Sequence, residues 1–452
     1  MKILFVLTIF LISFLISPDV NISIIVSIVT ILLYRIFSKS NNSFVFREWA
    51  LLLYAMNYLI APIITYSLPD YKIKYGMKIL SSQYFDLAIP GFLLFALGMY
   101  SIPNKLFKTE FKNVNQVTQL NDRFLIQMTI IGLALRLGSS FIPGEIGFVF
   151  YLISMIRFVG AFSLFALSPK KYVLFAIIIL MIELYFGFIA GMYHDALMWV
   201  IFFCLFYIYA AKPSISTKII GSSILIMFIL FVQAIKFAYR EKTWGNQEAA
   251  TLETVTEIGG QKTNSETLIG EDNLLATLNR GNQAWIFAST VDRMDRFKDF
   301  QGLENVNLYL EAALLPRLIA PNKIESGDKK IFNKFSGHTL QAGTAMGLGI
   351  FADGYIAYGA WGVYIFGFAL GLIFSLTFKL VERWTKISPF YVLLLLPMLN
   401  YAVRPDCELQ TTINHLAKSI VVFGALVYFT KDRFTLDSTR NQRKLLHLNL
   451  MK

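Results

Sequence analysis

Charged side chains are scarce in this sequence, and a dozen ionisable groups fall inside or beside apolar runs, where keeping a charge is costly. They are Arg136, Arg157, Glu183, His194, Asp195, Lys236, Arg240, Asp353, Arg404, Asp406, Glu408 and His415. The hydrophilic stretch between 240 and 357 adds Arg280, Arg293, Arg317, Lys323 and His338. Arginine presents a planar fork of donors and stays charged at any working pH. A group of arginines therefore suits an anion with paired oxygens, such as a lipid diphosphate. The plain alternative for Arg240 is a residue that flanks a span and snorkels to the interface. For Arg136 and Arg157, structural pairing and a place along a pathway both stay open.

A histidine can act as a general base because its pKa lies near the operating pH. His338, in Phe335-Ser336-Gly337-His338-Thr339, is the strongest of the four because it shares the arginine-rich stretch. Glycines crowd residues 343–371. Close helix approach is the plain reading; for Gly347, Gly349 and Gly354 the functional one is backbone approach to a bulky substrate beside Asp353. No phosphate-loop, metal-ligand or nucleophile-elbow pattern occurs. Cys204 lies in an apolar run and Cys407 in a short connection, so neither a disulfide nor a metal site is expected, and no cofactor.

These residues need a scaffold, and composition says which. Hydrophobic residues make up 56% and charged residues 15%, too few charges to cover a water-facing surface. That excludes a soluble enzyme, a disordered chain and a secreted disulfide scaffold. Continuous rather than alternating apolar runs exclude a transmembrane β-barrel. The pattern predicts an all-α polytopic membrane bundle with about twelve spans: 3–17, 20–37, 47–66, 84–103, 122–140, 145–167, 172–192, 195–211, 217–239, 357–379, 388–403 and 413–430. With the N-terminus in the cytoplasm, the inner segments carry 21 Lys and Arg against four in the short outer connections. The positive-inside rule then puts both termini inside and explains the net charge of +12 without nucleic acid.

Four regions follow: an N-terminal bundle of nine spans (1–240), a large outer loop (241–345), a C-terminal bundle of three spans (346–431) and a basic cytoplasmic tail (432–452). Within the loop, 245–270 reads as a mobile Thr-, Glu- and Gly-rich segment. Residues 274–297 and 307–315 read as amphipathic helices that lie on the membrane or cap a cavity.

The run Leu314-Leu315-Pro316-Arg317-Leu318-Ile319-Ala320-Pro321-Asn322-Lys323 resembles a stretch in the outer loop of Wzy-type O-antigen and oligosaccharide repeat-unit polymerases. Gly349-Ile350-Phe351-Ala352-Asp353-Gly354-Tyr355, followed by Tyr358-Gly359-Ala360-Trp361-Gly362, resembles their return into the membrane. Arg404 in a short outer connection fits the same layout. One departure is Gly191-Met192-Tyr193-His194-Asp195, where many relatives carry an arginine. The resemblance implies polymerisation of polyprenyl-diphosphate-linked oligosaccharide units on the outer face of a bacterial inner membrane. The lipid bilayer and a chain-length regulator would be further partners. Positioned arginines can stabilise the leaving diphosphate without a metal. In that role stand Arg240, Arg317 and Arg404, supported by Arg280 and Lys323. His338, or second Asp353, would accept the proton of the attacking hydroxyl. Rival readings are a transporter of the same lipid-linked sugars, which predicts that Arg136, Arg157 and Glu183 matter most, an O-antigen ligase, and a membrane O-acyltransferase using His415.

Overall fold

The computed structural model describes residues 2–69, 72, 75–108, 111–139, 141–142, 144–189, 193–240, 257–258, 260, 270–315, 319–321, 323–340 and 345–435. Among them the regular elements are all helical. The first half comprises α1 (Lys2–Ile16), α2 (Val20–Lys39), α3 (Phe46–Ser67, with a π turn at Met56–Ile60), α4 (Ser81–Tyr100), α5 (Phe111–Leu120) and α6 (Asp122–Ser139). Next come α7 (Gly144–Ser154), α8 (Ile156–Leu167), α9 (Pro169–Ile189), α10 (Tyr193–Ala211) and α11 (Ile215–Arg240). The insert contributes α12 (Glu271–Arg280), α13 (Ala284–Phe297), α14 (Glu304–Leu314) and α15 (Lys329–Ser336). The last elements among the described residues are α16 (Ile350–Ile387), α17 (Leu395–Leu399) and α18 (Leu409–Phe434).

Among the described residues, eight helical stretches are long and apolar enough to cross a membrane: α2, α3, α4, residues 146–167 across α7 and α8, residues 194–211 of α10, residues 215–236 of α11, α16 and α18. The other four of the twelve expected spans are not among these eight. α1 has 15 residues, about 22 Å of helix against a hydrocarbon core of about 30 Å. α6 is an 18-residue helix that carries Asp122, Arg123 and Arg136; α9 is a 21-residue helix with Lys170 and Lys171 at its start and Glu183 as the one charge in the apolar run that follows. The stretch expected as a span over 388–403 is instead a 3₁₀ turn, Pro389–Leu394, running into the short α17. Pro389 and Pro397 deny it a regular ladder. It is buried throughout and runs beside α18, with the Tyr391 hydroxyl 2.9 Å from Thr430 Oγ1 and the Tyr401 ring 4.7 Å from His415. Irregular backbone beside a span is tolerated where protein covers it.

Connections sort onto two ends of the bundle. At one end, Asn41 Nδ2 donates to Pro213 O and Lys218 Nζ to Phe37 O. Phe44 N donates to Phe107 O there, Lys379 Nζ to Pro103 O, and Phe434 stacks on Phe390. These are the connections rich in Lys and Arg. At the other end Lys72 pairs with Glu271, Arg404 with Asp195, and the Tyr58 hydroxyl with Pro405 O. The insert packs there, with α13 against the start of α16 and α14 along α18.

α16 is two helices in sequence. Tyr358 leaves helical geometry and Gly359, at φ 58°, reverses the chain; only glycine adopts that conformation without strain. The piece before the break folds back on the piece after it, with Gly354 against Gly362. The long piece then packs on α4 where Gly98 meets Gly371, too close for any Cβ.

Candidate active site at the Arg404 loop

Residues 400–408 join α17 to α18, and buried groups from α3 and α16 hold this loop and the start of α18. From α3, the Tyr54 hydroxyl donates to Ala402 O and the Tyr58 hydroxyl to Pro405 O, both at 3.1 Å. From α16, Asp353 Oδ2 accepts the Leu409 N–H at 2.8 Å, satisfying a donor at the N-terminus of α18. Glu408 Oε1 accepts from Gly327 N at 2.6 Å and from Thr411 Oγ1 at 3.0 Å. Gln283 of α13 donates to the carbonyls of Gly347 and Leu348, which holds the return strand of the insert against the same loop. Gly349 sits beside the Tyr58 hydroxyl at φ 82°. The crowded glycines thus admit protein neighbours: Gly347 meets the Asp406 backbone and Gly354 meets Gly362.

Arg404 projects from this frame between two carboxylates. One terminal nitrogen is 2.8 Å from Asp195 Oδ1 and the other 3.4 Å from Asp406 Oδ2. The Tyr401 ring lies 4.9 Å beneath the guanidinium. The Tyr151 hydroxyl donates to Asp195 at 3.4 Å. Asp195 is also in the first turn of α10, where the helix dipole favours a carboxylate. Arg404 is 15% exposed at its side chain and Asp406 48%. Burial works against the Asp406 charge, but the adjoining Arg404 outweighs it and holds this carboxyl well below the usual range. Arg404 Nε and His194 Nε2 are buried with no hydrogen-bond partner. An arginine with a short bond on one side and a long one on the other can take an anion by displacing the half-exposed carboxylate.

Deeper in the bundle lies a second assembly. Glu183 of α9 is 2.6 Å from Arg157 and 3.5 Å from Arg136. Arg157 is fully buried and also donates to the carbonyl and hydroxyl of Ser154. Arg136 lies over the ring of Tyr151, 5.7 Å from its centroid. Through Tyr151 the two assemblies form one seam of ionisable groups.

Of the other expected site residues, His338, Arg280 and Lys323 fall elsewhere. His338 Nε2 is 3.0 Å from Ser289 Oγ, and its ring stands edge-on to Trp285. Burial, and then Lys78, push the imidazole below its ordinary pKa. Its neighbours are residues of α13 and the 75–80 segment, and it shares no contact with Arg404 or Asp353. Arg280 ends α12, exposed. Lys323 Nζ donates to Leu315 O at 2.6 Å. The side chain of Arg240 and all of Arg317 lie outside the described residues, as does most of 245–270. Tyr54, Tyr58 and Tyr151 were invisible as site residues in the sequence, since a tyrosine in an apolar run reads as core. The Asp195–Arg404 pairing spans 209 positions, and no local spacing announces it.

A family model described as a domain of unknown function, DUF8712, matches residues 51–385. That reaches from within α3 to the end of α16 and leaves the Arg404 loop and α18 beyond the match. Neither the curated proteins nor the solved structures contain a match.

Proposed function

This chain belongs to the DUF8712 family, whose description carries no activity, and we propose that it is a membrane glycosyltransferase. It transfers oligosaccharide units between polyprenyl-diphosphate carriers on the side of the membrane opposite its basic connections, as a repeat-unit polymerase. The observation that carries the reading is Arg404, locked on its loop and 15% exposed between Asp195 and the half-exposed Asp406. In the reaction, an acceptor hydroxyl forms a bond to the anomeric carbon of the donor sugar. The bond from that carbon to the diphosphate breaks, and its electron pair stays on the diphosphate. Arg404 takes up this charge in a site partly withdrawn from water, where such stabilisation is strongest. Arg240, Arg280, Arg317 and Lys323 serve the same anion in this reading. His338, kept neutral by burial, accepts the hydroxyl proton. Asp353, occupied by the Leu409 N–H, acts as a positioning residue for the Arg404 loop. Location in a bacterial inner membrane with both termini in the cytoplasm follows from the same proposal and from the positive-inside count. A chain-length regulator is a candidate partner.

A second reading has its own observation. The seam from Arg404 through Asp195, Tyr151 and Arg136 to Glu183 and Arg157 is what a lipid-linked sugar transporter would use. A ligase would share the Arg404 site and act once per chain. The test is purified protein in detergent with a polyprenyl-diphosphate-linked oligosaccharide, read on a gel. A ladder spaced by one repeat unit supports the polymerase, and a single added product the ligase. No product with active controls moves the weight to the transporter.

A further inference from the structure

We propose that the turn between α13 and α14, residues 297–303, is inserted into the interfacial layer of the membrane that the helices cross, anchoring the insert to lipid. The inference does not depend on the proposed activity.

α13 ends at Phe297 because Lys298 takes a left-handed conformation, φ 52°, with its N–H bonded to Met294 O at 2.8 Å. That cap position is usually glycine. Here the residue keeps a long basic side chain, and Arg296 precedes it, both about two-thirds exposed. The chain then runs back against α16. Gln301 N donates to Ile356 O and Gly302 N to Ala357 O, and the Phe300 ring lies against Gly359. The turn is thereby fixed to the break in α16, where the long membrane helix begins.

Its polar and apolar residues diverge. Gln301 Nε2 bonds to Asp299, and Asp299 pairs with Lys334 of α15, both within the insert. Phe297, Phe300 and Leu303 are exposed. So are Tyr358 and Trp361, and Ile365 one turn further along α16. Three large apolar side chains on a turn would be a liability in water. Here they continue the apolar surface that α16 presents to lipid. Trp361 marks the level: Lys379 lies about 18 residues further along the same helix, or about 27 Å, near the thickness of the hydrocarbon core. An indole at that height belongs to the interfacial aromatic belt, and the turn sits beside it. Phe297, Phe300 and Leu303 would enter the upper acyl region, with Arg296 and Lys298 at headgroup phosphates.

The test uses the full-length chain with Cys204→Ser and Cys407→Ala, in lipid nanodiscs. Phe300→Cys and Leu303→Cys are labelled separately with a small fluorophore, and Lys334→Cys on α15 is the control. Labels at 300 and 303 should be quenched strongly by lipids brominated on their chains and weakly by aqueous iodide, with the reverse at 334. Two results overturn the proposal. Free access of iodide with no effect of brominated lipid would place the turn in water. Protection from both quenchers would mean that protein, such as a second copy, covers it. Agreement between the two labelled positions guards against one variant having perturbed the turn.

Discussion

Two arginine–carboxylate assemblies lie along one seam of this bundle, and they differ in how completely the arginine is occupied. Arg157 is sealed: it has no exposed surface, a 2.6 Å bond to Glu183 and two more to Ser154. Arg404 is open: one carboxylate partner is close, and the other is at 3.4 Å and half in solvent; an unpartnered Nε is common to both arginines and does not separate them. A buried charge needs saturation to be tolerated, whereas a charge that must receive a ligand has to stay incompletely satisfied. The contrast suits Arg157 to holding helices together and, under the proposed function, Arg404 to binding.

The largest effect should come from opening the sealed assembly. Arg157→Met leaves Glu183 at membrane depth with only the more distant Arg136, and breaking such a pair costs about 3–5 kcal/mol. Denaturant or thermal unfolding in nanodiscs measures it. Replacing all three charges, Arg136→Met/Glu183→Leu/Arg157→Met, should recover much of the loss, because no unpaired charge remains. A stable Arg157→Met protein that has lost substrate movement would instead make this assembly a pathway and reverse the contrast.

Next in size is Arg404→Ala. If the open arginine carries leaving-group charge, its loss should cost about 10²–10³-fold in turnover, with a smaller loss of stability than Arg157→Met, because its carboxylate partners reach solvent while Glu183 does not. Arg404→Lys should fall between, since it keeps the charge and loses the fork. If Arg404→Ala unfolds the protein as severely as Arg157→Met, while what survives turns over normally, the two assemblies are alike and the site lies elsewhere.

His338 lies outside both assemblies, and it tests whether the open one works alone. As the proton acceptor, His338→Gln should cost about 10²-fold. Burial first, and then Lys78, lower its pKa below the ordinary 6.5. The folded chain therefore sheds this proton at lower pH than the unfolded chain does. The stabilising contribution is complete above about pH 6.5 and is lost as pH falls through the depressed value. The acid limb of the pH–rate profile should accordingly lie below 6.5 and vanish in the variant. An unchanged limb would assign it to another group.

What the sequence made legible follows from which signals are local. Apolar run length marks α2, α3, α4, α10, α11 and α18 because each span is its own signal. The same signal overcounted at 388–403, where Pro389 and Pro397 matter more than apolarity; at α16 it marked the span, but only the backbone reveals the reversal at Gly359. Site residues were legible as types. Arg404, Asp195, Asp406 and Glu408 stood out as charges beside apolar runs. That Asp195 meets Arg404 was not legible, because the contact depends on how α10 packs against a loop 209 positions later. The tyrosines that clamp this loop carry no sequence signal distinct from core.

The smallest effect is also the one that separates two roles for a single carboxylate. Asp353 accepts the Leu409 N–H at 2.8 Å and so holds the N-terminus of α18 next to the Arg404 loop. Removing such an acceptor costs about 0.5–2 kcal/mol. Asp353→Ala should therefore lower stability by about 1 kcal/mol and slow turnover moderately as the loop loosens. Asp353→Asn discriminates, because an amide oxygen can still accept from a backbone N–H but cannot take a proton from a hydroxyl. For a positioning residue, Asn restores most of what Ala loses in both stability and rate. A general base would leave Asn as inactive as Ala, with stability restored and turnover absent. That result would move the proton acceptor from the insert to α16, and the open assembly would then extend from Asp195 through Arg404 to the carboxylate that caps α18.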